Sequence, residues 1–136
     1  MKVFRRSGYA LFSLLLIAPG CNQRDDLGQV SGRVTLDGEP LPGAAVEFSP
    51  LGPGSTSYGM TDDGNYSMTF SRHVKGASLG ESVVRITTRD VYGEEGREKW
   101  KPEKVPPQYN RKSELKVTVE PGRNRFDFDL ETSGEG

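Results

Sequence analysis

Apolar and polar positions alternate with a period of two through most of residues 30–130, the spacing that places successive side chains on opposite faces of a strand. VSGRVTL (30–36) aligns Val30, Val34 and Leu36, and AAVEFS (44–49) aligns Ala44, Val46 and Phe48. SYGMT (57–61) pairs Tyr58 with Met60, and NYSMTF (65–70) aligns Tyr66, Met68 and Phe70. ESVVRITT (81–88) gives Val84 and Ile86, and ELKVTVE (114–120) gives Leu115, Val117 and Val119. RFDFDL (125–130) closes the series with Phe126, Phe128 and Leu130. Each run predicts a short strand with one buried face, and nothing beyond residue 20 sustains a helical 3.6-residue period.

The residues between these runs suit turns. Asp37-Gly38 and Asp63-Gly64 supply the positive-φ positions of tight hairpins, and Pro121-Gly122 suits a type II turn. Gly43 is expected at a bulge or a close strand approach. Seven short strands with many turns predict an all-β fold: a seven-stranded Greek-key β-sandwich, with a small open barrel as the alternative. The segment 89–113 does not alternate; it is charged, carries Pro102, Pro106 and Pro107, and holds Trp100, the sole tryptophan. Long connections in small domains are often functional, so Tyr92, Trp100 and Tyr109 are candidate ligand or partner contacts. The simpler role for Trp100 is a ring laid over one end of the sandwich.

The first twenty residues follow another rule. Lys2, Arg5 and Arg6 precede the apolar stretch Tyr9 to Ala18, interrupted only by Ser13. A basic start, an apolar stretch of that length and small residues after it predict an export signal. The stretch falls short of the roughly 20 apolar residues a spanning helix needs. Ala18 and Gly20 permit ordinary signal cleavage before Cys21. A small residue followed directly by Cys also resembles a bacterial lipobox, from which Pro19 departs. That resemblance implies that the Cys21 thiol carries a lipid and that the new amine is acylated, a palmitate-type anchor held by two or three chains. Cys21 is the only cysteine, so no internal disulfide competes for it.

Composition narrows the partners. Residues 1–20 contain three of the 18 basic residues and none of the 19 acidic ones, so their removal takes the net charge from −1 to −4. That balance argues against a nucleic-acid partner and against a polybasic membrane surface. The expected organisation is a signal peptide (1–20), a lipidated Cys and tether (21–28), one domain (29–131) and a disordered tail (132–136).

The strand text "VSGRVTLDGEPLPGAAVEFSP" resembles the opening of carboxypeptidase regulatory-like domains, which are transthyretin-like (prealbumin-like) sandwiches. The matching residues are Gly32, Val34, Asp37-Gly38, Pro40-Leu41, Gly43-Ala44 and Val46. "GMTDDGNYSM" is similar to the family's Thr-Asp-x-x-Gly-x-Tyr/Phe hairpin. "VPPQYNRKSELKVTVEPGRNRFDFDL" resembles the closing half of small bacterial lipoproteins with this domain. The resemblance covers residues 29–130 and implies a transthyretin-like or Ig-like sandwich in a lipid-anchored cell-envelope protein.

Candidate chemistry is sparse. Related sandwich enzymes would imply several histidines, and this chain has one, His73. A hydrolase using His73 with Ser71 or Ser78 is formally open, without a Gly-x-Ser-x-Gly element. Asp62, Asp63 and Asn65 gather oxygen atoms as calcium loops do, but without EF-hand spacing they read as a self-bonded hairpin. The sequence therefore predicts a non-enzymatic structural or binding module, with no cofactor and no metal. It would be exported, anchored through Cys21 to the cell or outer membrane and facing the periplasm or exterior. An envelope protein or a glycan would be its partner. Carbohydrate binding through Trp100 and Tyr92, or hydrolysis at His73, are the alternatives.

Overall fold

The computed structural model describes residues 24–89, 91–92, 99–100 and 102–132; the side chains of residues 91, 92, 99 and 100 are not among them. The expected signal segment (1–20) and Cys21 lie outside the described residues. So do the side chains of Tyr92 and Trp100.

The fold is all-β, two sheets facing each other in a sandwich-like arrangement. Sheet I is organised around β1 (Leu27–Leu36), whose ten residues alternate buried and exposed through Val34. Along one flank β1 pairs in antiparallel fashion with β2 (Glu39–Pro40), β5 (Asn65–Ser67) and β8 (Ala77–Ser78). Along the other it pairs in parallel with β13 (Arg123–Arg125) and β14 (Phe128–Leu130), so the first and last strands of the domain lie side by side. Sheet II has the order β12-β9-β3-β4-β6-β7. Its members are β3 (Ala45–Pro50), β4 (Ser57–Met60), β6 (Thr69–Ser71), β7 (Val74–Lys75), β9 (Gly80–Thr87) and β12 (Lys116–Val119). A separate ribbon pairs β10 (Val91–Tyr92) with β11 (Lys99–Trp100).

Val34, Val46, Phe48, Met68, Val84 and Ile86 fill the space between the sheets. Phe48 of sheet II meets Phe126, between β13 and β14, and Phe128 of β14 at ring distances of 6.0 and 6.4 Å. Tyr66 closes one side of this cluster. Its hydroxyl donates a 2.5 Å hydrogen bond to the Phe126 carbonyl, which satisfies the phenol in a buried site. Gly32 lets that carbonyl approach, because a β-carbon there would stand 1.8 Å from the Phe126 oxygen.

Several expectations are corrected by the packing. The run 65–70 is two strands, not one. The chain crosses between sheets at Met68, so β5 pairs with β1 while β6 pairs with β4. The run 125–130 is likewise divided at Phe126 and Asp127, where Asp127 accepts the Arg33 N–H at 2.9 Å. The face of β4 is inverted: Tyr58 and Met60 are 56% and 55% exposed, while Ser57, Gly59 and Thr61 face inward. Large side chains have no room there, since a β-carbon on Gly59 would lie 2.8 Å from the Ser67 carbonyl and 3.1 Å from the Met68 sulfur. Thr61 uses its hydroxyl to donate to the Leu41 carbonyl at 2.6 Å and to accept the Ala44 N–H at 2.8 Å. Gly43 proves to be required by conformation, with φ 64°, rather than by a bulge.

The turn chemistry follows the sequence more directly. Asp37 and Gly38 have φ 51° and 84°, and Asp63 and Gly64 have φ 50° and 84°. These are the paired left-handed positions of type I′ hairpins. Gly122 takes φ 91° after Pro121.

Candidate functional site

The segment after β11 is held in place by one carboxylate. Glu103 accepts hydrogen bonds from the Thr88 N–H at 2.8 Å, the Thr88 hydroxyl at 3.0 Å and the Val105 N–H at 3.1 Å, and another from the Thr87 hydroxyl. Partial burial works against its charge, but these donors outweigh it and hold the carboxyl below its ordinary value of 4.5. Val105 is thereby pinned into the core. Asn110, at the end of the short 3-10 turn Pro107–Tyr109, donates to the carbonyls of Ile86, Val105 and Pro106 at 3.3 Å each. Ser113 donates to the Val84 carbonyl. The residues from 102 to 113 therefore form an ordered strap over the end of β9.

Between this strap and the outer face of sheet II lies an open groove of about 790 Å³. Arg85 stands in it, held by Glu47 at 3.5 Å and the Ser49 hydroxyl at 3.3 Å. Thr87, Lys104, Asn110 and Arg111 are among its other polar lining residues. Tyr109 packs against the core, and its hydroxyl accepts the Glu131 N–H at 3.2 Å. It acts as a brace between strap and β14 more than as an exposed contact. Tyr92 and Trp100 are not paired with each other: Tyr92 is in register with Lys99, and Trp100 with Val91.

A second groove, of about 360 Å³, lies on the outer face of sheet I. Gln29, Ser31, Ser67, Lys75, Arg123 and Asn124 line it. It lies at the start of β1, where Gln29 is in register with Arg123 and its N–H donates to the Gly122 carbonyl at 2.8 Å. The two grooves occupy opposite ends. Leu79 donates to the Asp26 carbonyl beside the start of β1, and β9 then runs away from it to Thr87 and the strap. That is about 23 Å of strand.

His73 is exposed in the turn joining β6 to β7. The Ser78 hydroxyl is engaged by Ser55, accepting its N–H and donating to its carbonyl at 3.3 Å. No hydrogen bond joins His73 to Ser71 or Ser78 among the described residues. Asp62 and Asn65 bond each other through their backbones, at 2.8 and 2.9 Å, across the Asp63-Gly64 turn. No group of three His, Cys, Asp or Glu side chains suited to a metal occurs among the described residues. No helix among them is long and apolar enough to cross a membrane.

Sequence reasoning missed Glu103, Arg85, Lys75 and Arg123. For Arg85 a signal existed, because it occupies an outward position of the alternating run VVRIT. Lys75, on β7 just before β8, and Arg123, on β13, are brought together only by the fold, at the groove beside the start of β1. Asp37 also gains a partner not foreseen: it accepts the Thr132 N–H at 2.9 Å and the Thr132 hydroxyl at 2.7 Å, which lowers its carboxyl from the ordinary 3.8. Thr132 is thus tied to the domain, and residues 133–136 lie outside the described ones. Comparison of the chain with protein families, with curated proteins and with solved structures gives no match.

Proposed function

We propose that the chain is a non-enzymatic, lipid-anchored protein of the cell envelope, in which a single sandwich serves as a binding module held at the membrane by Cys21. The signal pattern, the small residue before Cys21 and the polar stretch NQRDD support export and anchoring. In this reading the sandwich is a Greek-key domain of the transthyretin-like, carboxypeptidase regulatory-like kind, built on the seven alternating runs. The hairpins at Asp37-Gly38 and Asp63-Gly64 fall where that resemblance expects them.

The observation that carries the reading is the separation of tether and strap. Leu27 is six residues beyond Cys21, at most about 22 Å of extended chain. The strap and its groove lie at the far end of β9. Such an arrangement presents the 102–111 groove away from the membrane, where an envelope protein or a glycan can reach it. Arg85, Lys104 and Arg111 supply donors for polar recognition there, and its openness suits an extended ligand.

The test is fractionation of cells expressing the full chain and its Cys21→Ser variant. The account expects the unaltered protein in the membrane fraction and the variant in the soluble fraction. Recovery of both in the soluble fraction contradicts it.

A further inference from the structure

The outer face of sheet I is basic towards the start of β1 and acidic at its end, where Asp37, Asp129 and Glu131 gather around Thr35. Its exposed positions on β1 are Gln29, Ser31 and Arg33. Cross-strand register places Arg123 beside Gln29, Arg125 and Ser67 beside Ser31, and Asn65 beside Arg33. Lys75 borders the same groove. Four cations thus gather at this end of the face, with Asp127 the carboxylate among them, in a chain whose balance beyond residue 20 is −4. Arg125 is paired with Asp127 at 3.2 Å. Among the described residues Lys75, Arg123 and Arg33 have no ion-pair partner.

This face lies at the end of β1 from which the tether leaves. Gln29 is eight residues from Cys21, so the groove stays within about 28 Å of an anchored sulfur even with the chain fully extended. Cations held that close to a lipid surface are attracted to anionic headgroups, each by an increment that adds to the anchor. We infer that the groove framed by Lys75 and Arg123, with the outer face of sheet I around it, docks on the phosphates of anionic phospholipids in the anchoring membrane. Docking turns the sandwich onto that face. The outer face of sheet II, with Tyr58, Met60 and the distal groove, then looks outward. Ser31, Ser67 and Asn124 supply further hydrogen-bonding groups beside the cations.

The inference rests on the anchor reading, and its test is separable from it. Vesicle co-sedimentation is performed with the mature chain from residue 21 carrying Cys21→Ser, so no acyl group contributes. The expected result is binding to vesicles containing about one third phosphatidylglycerol, weak binding to pure phosphatidylcholine, and loss of the difference near 1 M salt, where charges are screened within about 3 Å. Lys75→Glu with Arg123→Glu lowers the partition at least about tenfold. Lys104→Glu with Arg111→Glu, at the distal groove, leaves it unchanged. The milder pair Lys75→Gln with Arg123→Gln gives an intermediate loss, and a thermal melt of each variant shows that the fold is kept.

Equal binding to both vesicle types overturns the inference. So does an undiminished partition in the Lys75/Arg123 variants, or full competition by millimolar glycerol phosphate, which would mark a pocket for free phosphate instead. Intact mass of the native protein reports the anchor independently of these results.

Discussion

Glu103 and Tyr66 each join two parts of the chain that are distant in sequence, and each makes a measurable claim. Glu103 gathers four donors from Thr87, Thr88 and Val105. Glu103→Ala strands the Thr88 and Val105 N–H groups at the root of the strap, at an expected cost of about 1 kcal/mol, read in urea melts. Because its carboxyl is depressed in the fold, the stability it contributes is present above its ordinary value of 4.5 and is lost as pH falls through the folded value. The Glu103→Gln variant is expected to show a flatter acid limb. Tyr66 behaves in the opposite sense. Burial, with the nearby Asp127 charge, raises its phenol well above 10.0 despite Arg125. Its contribution is therefore full below pH 10.0 and is lost as the pH climbs beyond it. Tyr66→Phe leaves the Phe126 carbonyl without its 2.5 Å donor. That change should cost about 1 to 2 kcal/mol at neutral pH and flatten the alkaline limb of the stability curve. An unchanged alkaline limb would remove the buried-phenol account.

Whole elements show where periodicity stops being informative. The alternation located the runs because a strand in a sandwich buries every second residue, and the Asp-Gly pairs located the hairpins because type I′ turns need two left-handed residues. The face of β4 was not legible. Tyr58 and Met60 look like the buried pair, yet the interior beside them is already occupied by Met68, leaving space only for Ser57, Gly59 and Thr61. Nor could the pattern show the chain changing sheets at Met68, because alternation continues smoothly through the crossing. Two substitutions test this packing by thermal unfolding. Met60→Ser should alter stability by less than about 0.5 kcal/mol, as an exposed change. Met68→Ala should cost about 2 to 5 kcal/mol by leaving a cavity between the sheets. A larger effect at Met60 than at Met68 would reverse the assigned faces.

At the scale of the molecule, the proposed tether, the cationic groove and the distal groove make one directional arrangement in the proposed reading. The proposed tether rests on the sequence alone, since a signal and a cysteine are local patterns. The sequence could not disclose the cationic groove, where Lys75 of β7 and Arg123 of β13 meet beside the start of β1 though they lie far apart in the chain. The distal groove was half visible, as a proline-rich segment of unusual length, but its organising residue is Glu103 rather than an aromatic. Orientation on the membrane makes a further prediction: amine-labelling of the native protein in membranes should modify Lys104 and Lys112 while sparing Lys75. Equal labelling of all three would mean that sheet I does not face the lipid.

All of these statements about orientation depend on attachment at Cys21. Intact-mass spectrometry of the native protein, extracted from membranes, tests that attachment most directly. The account predicts a chain that begins at Cys21 and carries the added mass of a diacylglyceryl group, with or without a further acyl chain on its amine. A chain beginning at an unmodified Cys21, or retaining residues 1–20, would contradict it.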